Sequence, residues 1–300
     1  MKRLELEIPI DIKLSLYPSF ISFLFNMYDN KLVKVYGAGK NCKIIVNRNG
    51  REITYSEECE PFISEWMGLW FNPYDYLSKV KRSKRYIVER IIECYERLRL
   101  MVSSYDRDFV FIATFLSRRA NYHVSVIKWV RKILELSKEN IDNIQSMNMR
   151  AVGSSYQLKQ LSEIIPSYIE LRRTLRNVSP WSERAALMDL KYVGPKVIDA
   201  YLLFTCRGSI FTPSDVHYQR VSRYLELMDK EIIVPSKNMC LLNKAFCIDC
   251  KFKDKCLTGS SIQLYGPLSG WIQTVSYVHD KLYCSRNECS NCPLKNICTR

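Results

Sequence analysis

Two predicted helices are joined by the segment Leu190-Lys191-Tyr192-Val193-Gly194-Pro195-Lys196. The first helix is expected to begin at Ser179-Pro180, because a serine cap followed by proline at the first helical position is a favoured start. The second helix is expected to run from about Lys196 to Cys206. A glycine-containing hairpin of this kind exposes backbone N–H groups at the start of its second helix. Such groups bind phosphate without reading sequence.

A second informative segment follows the hairpin. Thr212-Pro213-Ser214-Asp215-Val216-His217 is predicted to open a helix that continues to Leu227. Taken alone, Asp215 is an ordinary helix start, and Lys196 is an ordinary surface lysine. Their combination with the hairpin and with the cysteines described next makes them candidate catalytic residues.

Two cysteine quartets lie near the end of the chain. The first has the spacing C-x6-C-x2-C-x5-C and consists of Cys240, Cys247, Cys250 and Cys256. The second has the spacing C-x4-C-x2-C-x5-C and consists of Cys284, Cys289, Cys292 and Cys298. Four thiolates from one short loop can converge on a single metal group. A [4Fe–4S] cluster is the leading prediction for each quartet, and zinc is the alternative. The other cysteines (Cys42, Cys59, Cys94 and Cys206) are expected to be ordinary free thiols.

Composition narrows the class of protein. The 300 residues are 47% hydrophobic and 25% charged, with a formal net charge of +14, which favours a polyanionic partner such as nucleic acid. No apolar stretch is long enough to span a membrane, and the start of the chain lacks the apolar core of a signal peptide. We therefore expect an intracellular protein (cytoplasm or nucleoid) with no membrane partner.

The hydrophobic pattern predicts an α+β protein in three parts. Residues 1–82 are predicted to form an antiparallel sheet domain, with strands in Leu4–Ile8, Ile10–Leu16, Leu32–Tyr36, Lys43–Val46 and Arg51–Tyr55. Residues 83–233 show helical periodicity and predict a mainly α-helical body, with helices in Phe109–Arg119, Val124–Leu136 and Tyr156–Leu175. Residues 234–300 form a cysteine-rich tail with one helix at Ser269–Leu282.

These motifs together resemble the helix-hairpin-helix DNA glycosylases of the Gly/Pro-Asp superfamily. That family has a hairpin of the form L-P-G-V-G-x-K followed by (P)-V-D-x-H, where this chain has L-K-Y-V-G-P-K and P-S-D-V-H. The spacing from Lys196 to Asp215 is that of 8-oxoguanine glycosylases. The first cysteine quartet is similar to the cluster loop of endonuclease III, and the β-rich start is similar to that of 8-oxoguanine and 3-methyladenine glycosylases.

The resemblance implies an activity and a set of site residues. A damaged base would be flipped out of duplex DNA, Asp215 would stabilise the positive charge at C1′, and Lys196 would attack C1′ to form a Schiff base that permits β-elimination. Further DNA contacts are predicted for seven residues: Val193, Gly194 and Pro195 in the hairpin, Arg119 and Tyr156 as candidate wedges, His217, and Lys244 in the first cysteine loop. Structural roles remain open for Arg119, Tyr156 and His217.

The sequence also departs from the family pattern. Lys191-Tyr192 stands where the family has Pro-Gly, and Ala200 stands where some 8-oxoguanine enzymes have cysteine. Most enzymes with this type of sheet domain lack the cluster loop, so the chain combines features of two branches.

The leading prediction is a monomeric DNA glycosylase and abasic-site lyase that acts on double-stranded DNA containing an oxidised purine. Oxidised pyrimidines and alkylated bases are alternative substrates. A non-enzymatic iron–sulfur protein that binds DNA or senses redox state is the alternative from another class.

Overall fold

The computed structural model describes residues 1–175, 177–228 and 231–300. The chain begins with five strands: β1 (Lys2–Glu5), β2 (Phe25–Tyr28), β3 (Lys31–Lys34), β4 (Lys43–Val46) and β5 (Glu52–Tyr55). They form an antiparallel sheet in the order β1-β5-β4-β3-β2. Inward-facing Leu32, Ile44 and Ile53 are fully buried, as expected for a sheet with one face on the core. The predicted antiparallel sheet is therefore confirmed.

The strand predicted at Ile10–Leu16 is wrong, because this segment contains the short helix α1 (Ile12–Leu16). Asp11 caps this helix, and its Oδ1 accepts a hydrogen bond from the backbone N–H of Leu14 at 2.9 Å. A period-two pattern over so few residues does not distinguish a strand from a single helical turn, and here the aspartate cap decides the outcome. The sequence pattern also missed β2.

The rest of the described chain is mainly helical, as predicted. The longer helices of the body are α3 (Arg85–Tyr95), α4 (Arg107–Leu116), α5 (Ile127–Ser137), α7 (Tyr156–Thr174), α8 (Pro180–Asp189), α9 (Pro195–Thr205) and α10 (Val216–Tyr224). Shorter helices are α2 (Ile63–Trp66) and α6 (Ile141–Ile144), and the tail holds α11 (Lys237–Leu241), α12 (Leu257–Tyr265) and α13 (Ser269–Leu282). A π-helical turn at Tyr122–Val126 leads into α5. Short 3-10 turns lie at Ser22–Leu24, Glu57–Cys59, Pro73–Lys79, Arg82–Lys84, Met149–Ala151, Gly266–Leu268, Cys284–Arg286 and Lys295–Ile297.

Helix ends differ from the sequence prediction where a residue enters the left-handed region. Helix α4 ends at Leu116, shortly before Arg119 takes a φ of +52°, and α10 ends at Tyr224, shortly before Glu226 takes a φ of +48°. The N-caps are more predictable, since Ser179 caps α8 by accepting from the backbone N–H of Ser182 at 3.1 Å. The predicted helix at Ser269–Leu282 is confirmed at both ends.

A buried ion pair fastens the sheet to the helical body. Lys34 Nζ on β3 lies 2.8 Å from Asp106 Oδ2 at the start of α4, and both side chains are shielded from water. Burial lowers the pKa of Lys34, while the Asp106 carboxylate opposes that change. Gly37 has a φ of +75° and lies so close to Asp106 that an added Cβ would overlap its carboxylate. The loop after β3 therefore requires glycine at this position.

The tail packs onto the body through α13. Trp271 is fully buried, and its Nε1 donates a hydrogen bond to the Leu98 carbonyl at 3.0 Å. Among the described residues, no helix is both long and apolar enough to cross a membrane.

The expectation that Cys42 and Cys59 are free thiols is wrong. A disulfide joins them and links the segment before β4 to the turn after β5, with 17 residues of sequence separation. The sequence does not predict this bond, because only the pairing of β4 with β5 brings the two cysteines together. Cys94 and Cys206 are free, as expected.

Candidate active site

A cavity of about 760 Å³ lies where the sheet side of the molecule meets the helical body and α13. It brings together both predicted catalytic residues, Lys196 and Asp215. Gly194, Pro195, Arg119 and His217 also line it. Residues far apart in the sequence thus share one concave site, which is the usual form of an active site.

The hairpin between α8 and α9 forms although Tyr192 stands where the quoted family pattern has glycine. Tyr192 has a φ of +63°, a conformation that costs an ordinary residue about 1–2 kcal/mol. Contacts hold it there: its hydroxyl donates to Glu163 Oε2 at 2.7 Å, and its carbonyl accepts from Arg118 Nη1 at 2.9 Å. Lys191 Nζ lies 3.4 Å from the same Glu163 carboxylate. Lys191 and Tyr192 are therefore accommodated by partners on α7 and at the end of α4.

Gly194 is the N-cap of α9 and faces open space. A Cβ added there would meet nothing within 4 Å, and its φ of −131° is open to any residue. The fold itself therefore gives no reason for glycine at this position, which leaves room for a ligand to approach the backbone at the start of α9. Val193 is buried and Pro195 occupies the first turn, so these two side chains shape the hairpin from inside.

Lys196 lies in the first turn of α9, in a poorly solvated part of the cavity. Its Nζ donates to Ser117 Oγ at 3.3 Å and lies 5.8 Å from the centre of the Phe20 ring. Burial lowers the pKa of Lys196, and the nearby Arg118 charge acts in the same direction, while Asp215 opposes both. A lowered pKa increases the fraction of neutral amine, which is the nucleophilic form.

Asp215 caps α10 and is held at both oxygens. Oδ1 accepts from the backbone N–H of Tyr218 at 2.8 Å, and Oδ2 accepts from Gln273 Nε2 at 3.1 Å. Burial raises the pKa of Asp215, whereas the Tyr218 hydrogen bond and the charge of Lys196 favour the carboxylate. The two bonds fix the carboxylate in the cavity close to Lys196.

The imidazole of His217 bonds to Asp280 rather than to Asp215. Its Nδ1 lies 2.6 Å from Asp280 Oδ2, and its ring meets the Tyr277 ring edge-on at 4.9 Å. Asp280 is fully buried and also accepts from Arg220 at 2.8 Å and from Ser285 at 2.7 Å. Burial alone would raise the pKa of Asp280, but these donors together hold it below its ordinary value. This network fixes one wall of the cavity.

The remaining predicted DNA contacts lie on the surface. Arg119 is exposed at the cavity edge, where its positive φ turns the chain after α4. Tyr156 is 50% exposed at the start of α7, so it is not a core residue, and it lies near Arg118. Lys244 is exposed in the first cysteine loop.

The first cysteine loop is anchored to α8 and α9 through a buried ion pair. Arg184 on α8 contacts the Asp199 carboxylate on α9 at 2.6 Å and donates to the Ala245 carbonyl within the loop. Cys240, Cys247 and Cys256 are buried, and Cys250 Sγ accepts from the Phe252 backbone N–H at 3.4 Å. Burial raises the pKa of Cys240 to about 11, and the Arg184 charge opposes this.

Within residues 1–175, 177–228 and 231–300, no group of three or more His, Cys, Asp and Glu side chains is close enough to hold a single metal ion. An iron–sulfur cluster makes a different demand, because each thiolate binds a separate iron atom. Four thiols from one loop, beside a buried guanidinium and a backbone N–H donor, are a suitable donor set for such a cluster.

The second quartet packs against the end of α13. Cys292 Sγ lies 3.6 Å from Nε2 of the buried His279, whose Nδ1 lies 2.8 Å from the Tyr95 hydroxyl. Burial lowers the pKa of His279 to about 4, so this imidazole is neutral at neutral pH. Cys289 is exposed, and Cys94 Sγ reaches the Pro293 carbonyl at 3.7 Å.

Several cavity residues were missed by the sequence analysis. Gln273 and Tyr277 come from α13, and Tyr17, Phe20, Tyr122 and His123 come from the segments nearest the sheet. The pair Gln273 and Tyr277 is spaced by one helical turn, which places both on the same helix face. That spacing was the one available signal, and nothing in the sequence shows which face meets the cavity.

The fold matches solved structures over nearly the whole chain. The 8-oxoguanine glycosylase/lyase of Clostridium acetobutylicum, in complex with DNA containing cytosine opposite 8-oxoguanine, aligns with a TM-score of 0.68 over 94% of this chain and 98% of its own, at 14% sequence identity. The 3-methyladenine DNA glycosylase of Archaeoglobus fulgidus aligns with a TM-score of 0.62 over 94% and 99%, also at 14% identity. The sequence matches no protein-family model and no curated protein.

The fold is therefore that of these DNA glycosylase structures, as the resemblance in the sequence motifs implies. The five-stranded antiparallel sheet at the start of the chain and the mostly helical body both agree with that fold.

Proposed function

We propose that this protein is a base-excision DNA glycosylase with abasic-site lyase activity. The observation that carries the proposal is the cavity in which Lys196, Asp215 and the open start of α9 meet. The glycosylase fold supports it. The proposed partner is double-stranded DNA with a damaged base, bound by an intracellular monomer.

In the proposed reaction the damaged base leaves with the electron pair of its glycosidic bond. Positive charge then develops at C1′ and the ring oxygen of the sugar. Asp215 stabilises that charge as a fixed carboxylate, because Tyr218 and Gln273 hold both of its oxygens in place. Preorganisation of this kind costs no reorientation during the reaction.

Lys196 is the proposed nucleophile. Its neutral amine attacks C1′, loses a proton as the C–N bond forms, and yields a Schiff base after the sugar ring opens. Loss of a C2′ proton then breaks the 3′ C–O bond and cuts the strand. The lowered pKa of Lys196 supplies the neutral amine that the first step needs.

The proposed DNA surface surrounds the cavity mouth. A phosphate would approach the start of α9 beside Gly194, where backbone N–H groups and the positive helix end attract it. Arg119 and Tyr156 are the proposed wedges into the base stack, and Lys244 is a proposed phosphate contact. The net charge of +14 supports this assignment.

We propose an oxidised purine such as 8-oxoguanine as substrate, with oxidised pyrimidines and alkylated bases as alternatives. The first quartet is proposed to hold a [4Fe–4S] cluster, which would fix the loop that Arg184 ties to α9. The second quartet is proposed to hold a second [4Fe–4S] cluster, and zinc, the alternative, would require its thiols to lie closer together than they do in this structure. Measurement of iron, sulfide and zinc in purified protein distinguishes these.

The experiment that tests the activity is excision from duplexes that each carry one lesion, using the wild type, Lys196→Ala and Asp215→Asn. Strand cleavage on one lesion that both substitutions abolish supports the proposal and identifies the substrate. An abasic site without strand cleavage would mean a glycosylase that lacks lyase activity. Tight DNA binding without any product would favour the non-enzymatic alternative.

A further inference from the structure

The second cysteine quartet lies in a segment, residues 283–300, that has almost no apolar core. Of these residues, all of which the structure describes, only Cys292 and Leu294 are buried. The segment contains two short 3-10 turns, Cys284–Arg286 and Lys295–Ile297, and no longer helix or strand. A run of turns this short does not bury enough apolar surface to order itself, and small segments of this kind are commonly held by a bound metal group.

The surroundings of the quartet fit an iron–sulfur cluster. Cys292 Sγ lies 3.6 Å from His279 Nε2, and the Tyr95 hydroxyl lies 2.8 Å from His279 Nδ1. When Tyr95 donates to Nδ1, the proton of the imidazole is on Nε2 and faces the sulfur. Donors of this kind commonly surround the thiolates of such a cluster. Arg300 closes the segment, because its guanidinium donates to the Cys284 carbonyl at 3.0 Å.

Ser285, the residue after Cys284, connects this segment to α10. Its Oγ donates to Asp280 Oδ2 at 2.7 Å and accepts from Arg220 Nη1 on α10 at 2.9 Å. The same Asp280 oxygen lies 2.6 Å from Nδ1 of His217, which lines the cavity. Ser285 therefore helps to hold the group that fixes the cavity wall beside Asp215.

Thr299, the residue after Cys298, holds the end of the same helix. Its backbone N–H and its hydroxyl both donate to the Tyr224 carbonyl, at 2.8 and 3.1 Å. Carbonyls in the last turn of a helix lack a partner within the helix, so Thr299 completes the end of α10. Because Asp215 caps the start of α10, the helix that carries this carboxylate is held by two residues that directly follow cysteines of the quartet.

We propose that the second quartet is a positioning site for the glycosylase reaction. The iron–sulfur cluster that it holds orders residues 283–300, and Ser285 and Thr299 in turn hold α10, so that Asp215 stays where positive charge develops on the sugar. Such placement matters, because a displacement of about 1 Å can slow a reaction about 100-fold. The inference rests on the proposed function, since the step that it serves is release of the base with the help of Asp215.

The test compares two changes in the full chain. Cys289→Ser/Cys298→Ser leaves two thiols, too few for a four-iron cluster, whereas Ser285→Ala keeps all four cysteines and removes only the contact with Asp280 and Arg220. Ser290→Ala is the matched control, because Ser290 is an exposed serine of the same segment. Iron, sulfide and zinc are measured in each protein, and hydrogen exchange of the α10 backbone is followed by mass spectrometry. Single-turnover base release is measured on the lesion that the wild type excises, and borohydride trapping on a preformed abasic site.

We expect the double cysteine variant to slow base release about 10- to 100-fold through displacement of Asp215. Ser285→Ala, which loses single hydrogen bonds, should slow it about 3- to 10-fold with the wild-type metal content. In both variants the α10 amides should exchange about 10-fold faster, while trapping on abasic DNA and the Ser290→Ala protein match the wild type.

Unchanged exchange of α10 or unchanged base release in either variant would overturn the inference. So would equal iron and sulfide in the wild type and the double cysteine variant, because the second quartet would then hold no cluster. A wild type that neither releases a base nor traps on abasic DNA, with α10 exchange still faster in both variants, would instead refute the proposed function and leave the link between the quartet and α10 intact.

Discussion

Replacing Lys196 by methionine should make the protein more stable while it abolishes strand cleavage. Burial lowers the pKa of Lys196 despite the nearby Asp215, which means that the folded protein disfavours the ammonium. Methionine fills similar space without the charge. Below the folded pKa of Lys196, both folded and unfolded chains carry the proton, and the full penalty of burying the charge is present.

The size of the effect follows from linkage. For every unit that the pKa of Lys196 lies below its ordinary value of about 10.4, burying the charge costs about 1.4 kcal/mol of stability. The penalty disappears as the pH rises from the folded pKa to that ordinary value. The stability difference between Lys196→Met and the wild type should therefore be largest near neutral pH and shrink in alkaline buffer.

Two independent measurements check this reasoning. Urea unfolding at several pH values gives the stability difference, and the pH dependence of borohydride trapping on abasic DNA gives the pKa of Lys196. The stability difference should equal about 1.4 kcal/mol for each unit by which the measured pKa of Lys196 lies below its ordinary value. The double variant Lys196→Met/Asp215→Asn is the control, because in Lys196→Met alone the buried Asp215 carboxylate has lost its positively charged neighbour. If both variants are less stable than the wild type at neutral pH, Lys196 forms an ordinary ion pair and the neutral-amine mechanism is wrong.

Three further predictions concern the cavity walls and the DNA surface. Asp215→Asn should keep the fold, because asparagine caps helices as well as aspartate does. It should slow single-turnover base release at least about 100-fold, because the charge at C1′ loses its carboxylate. Release within a few-fold of the wild-type rate would contradict the proposed role of Asp215. Asp280→Asn should lower the free energy of unfolding by about 3 kcal/mol in urea titrations near pH 7, because Arg220 and His217 lose a buried charged partner. Since the pKa of Asp280 is lowered, the stabilisation that its carboxylate provides should fade in acid as the carboxylate is protonated. An unchanged stability of Asp280→Asn would contradict the network. Lys244→Ala should reduce the salt dependence of DNA affinity by about one phosphate equivalent in fluorescence titrations, and an identical slope would remove Lys244 from the interface.

The features that the sequence predicts are those that depend on residues close together in the chain. Ser179-Pro180 marks the start of α8, and the run of β-branched residues in Lys43–Val46 marks a strand, because caps and such short runs are local properties. The alternation in Ile10–Leu16 predicts a strand, but it is too short to exclude the capped helical turn that the segment forms. The Cys42–Cys59 disulfide was missed because it depends on how β4 and β5 pair.

In the candidate site, too, the sequence predicts the residues that lie in local motifs but not those that packing brings in from elsewhere. Lys196 and Asp215 are predicted because the hairpin and the aspartate segment together resemble a family pattern, and the fold brings both residues into one cavity. Gln273, Tyr277 and His123 reach that cavity only through the packing of α13 and the π-helical turn, which no local pattern records. The left-handed conformation of Tyr192 was also unpredictable, since its contacts with Glu163 and Arg118 come from other helices.

The location of the covalent bond to DNA shows directly whether Lys196 is the nucleophile. Purified protein is reduced with borohydride on a duplex containing an abasic site, digested with protease and nuclease, and mapped by mass spectrometry. We expect one modified residue, Lys196, with no adduct in Lys196→Ala. An adduct on another lysine, or equal trapping by Lys196→Ala, would contradict the claim that Lys196 is the nucleophile.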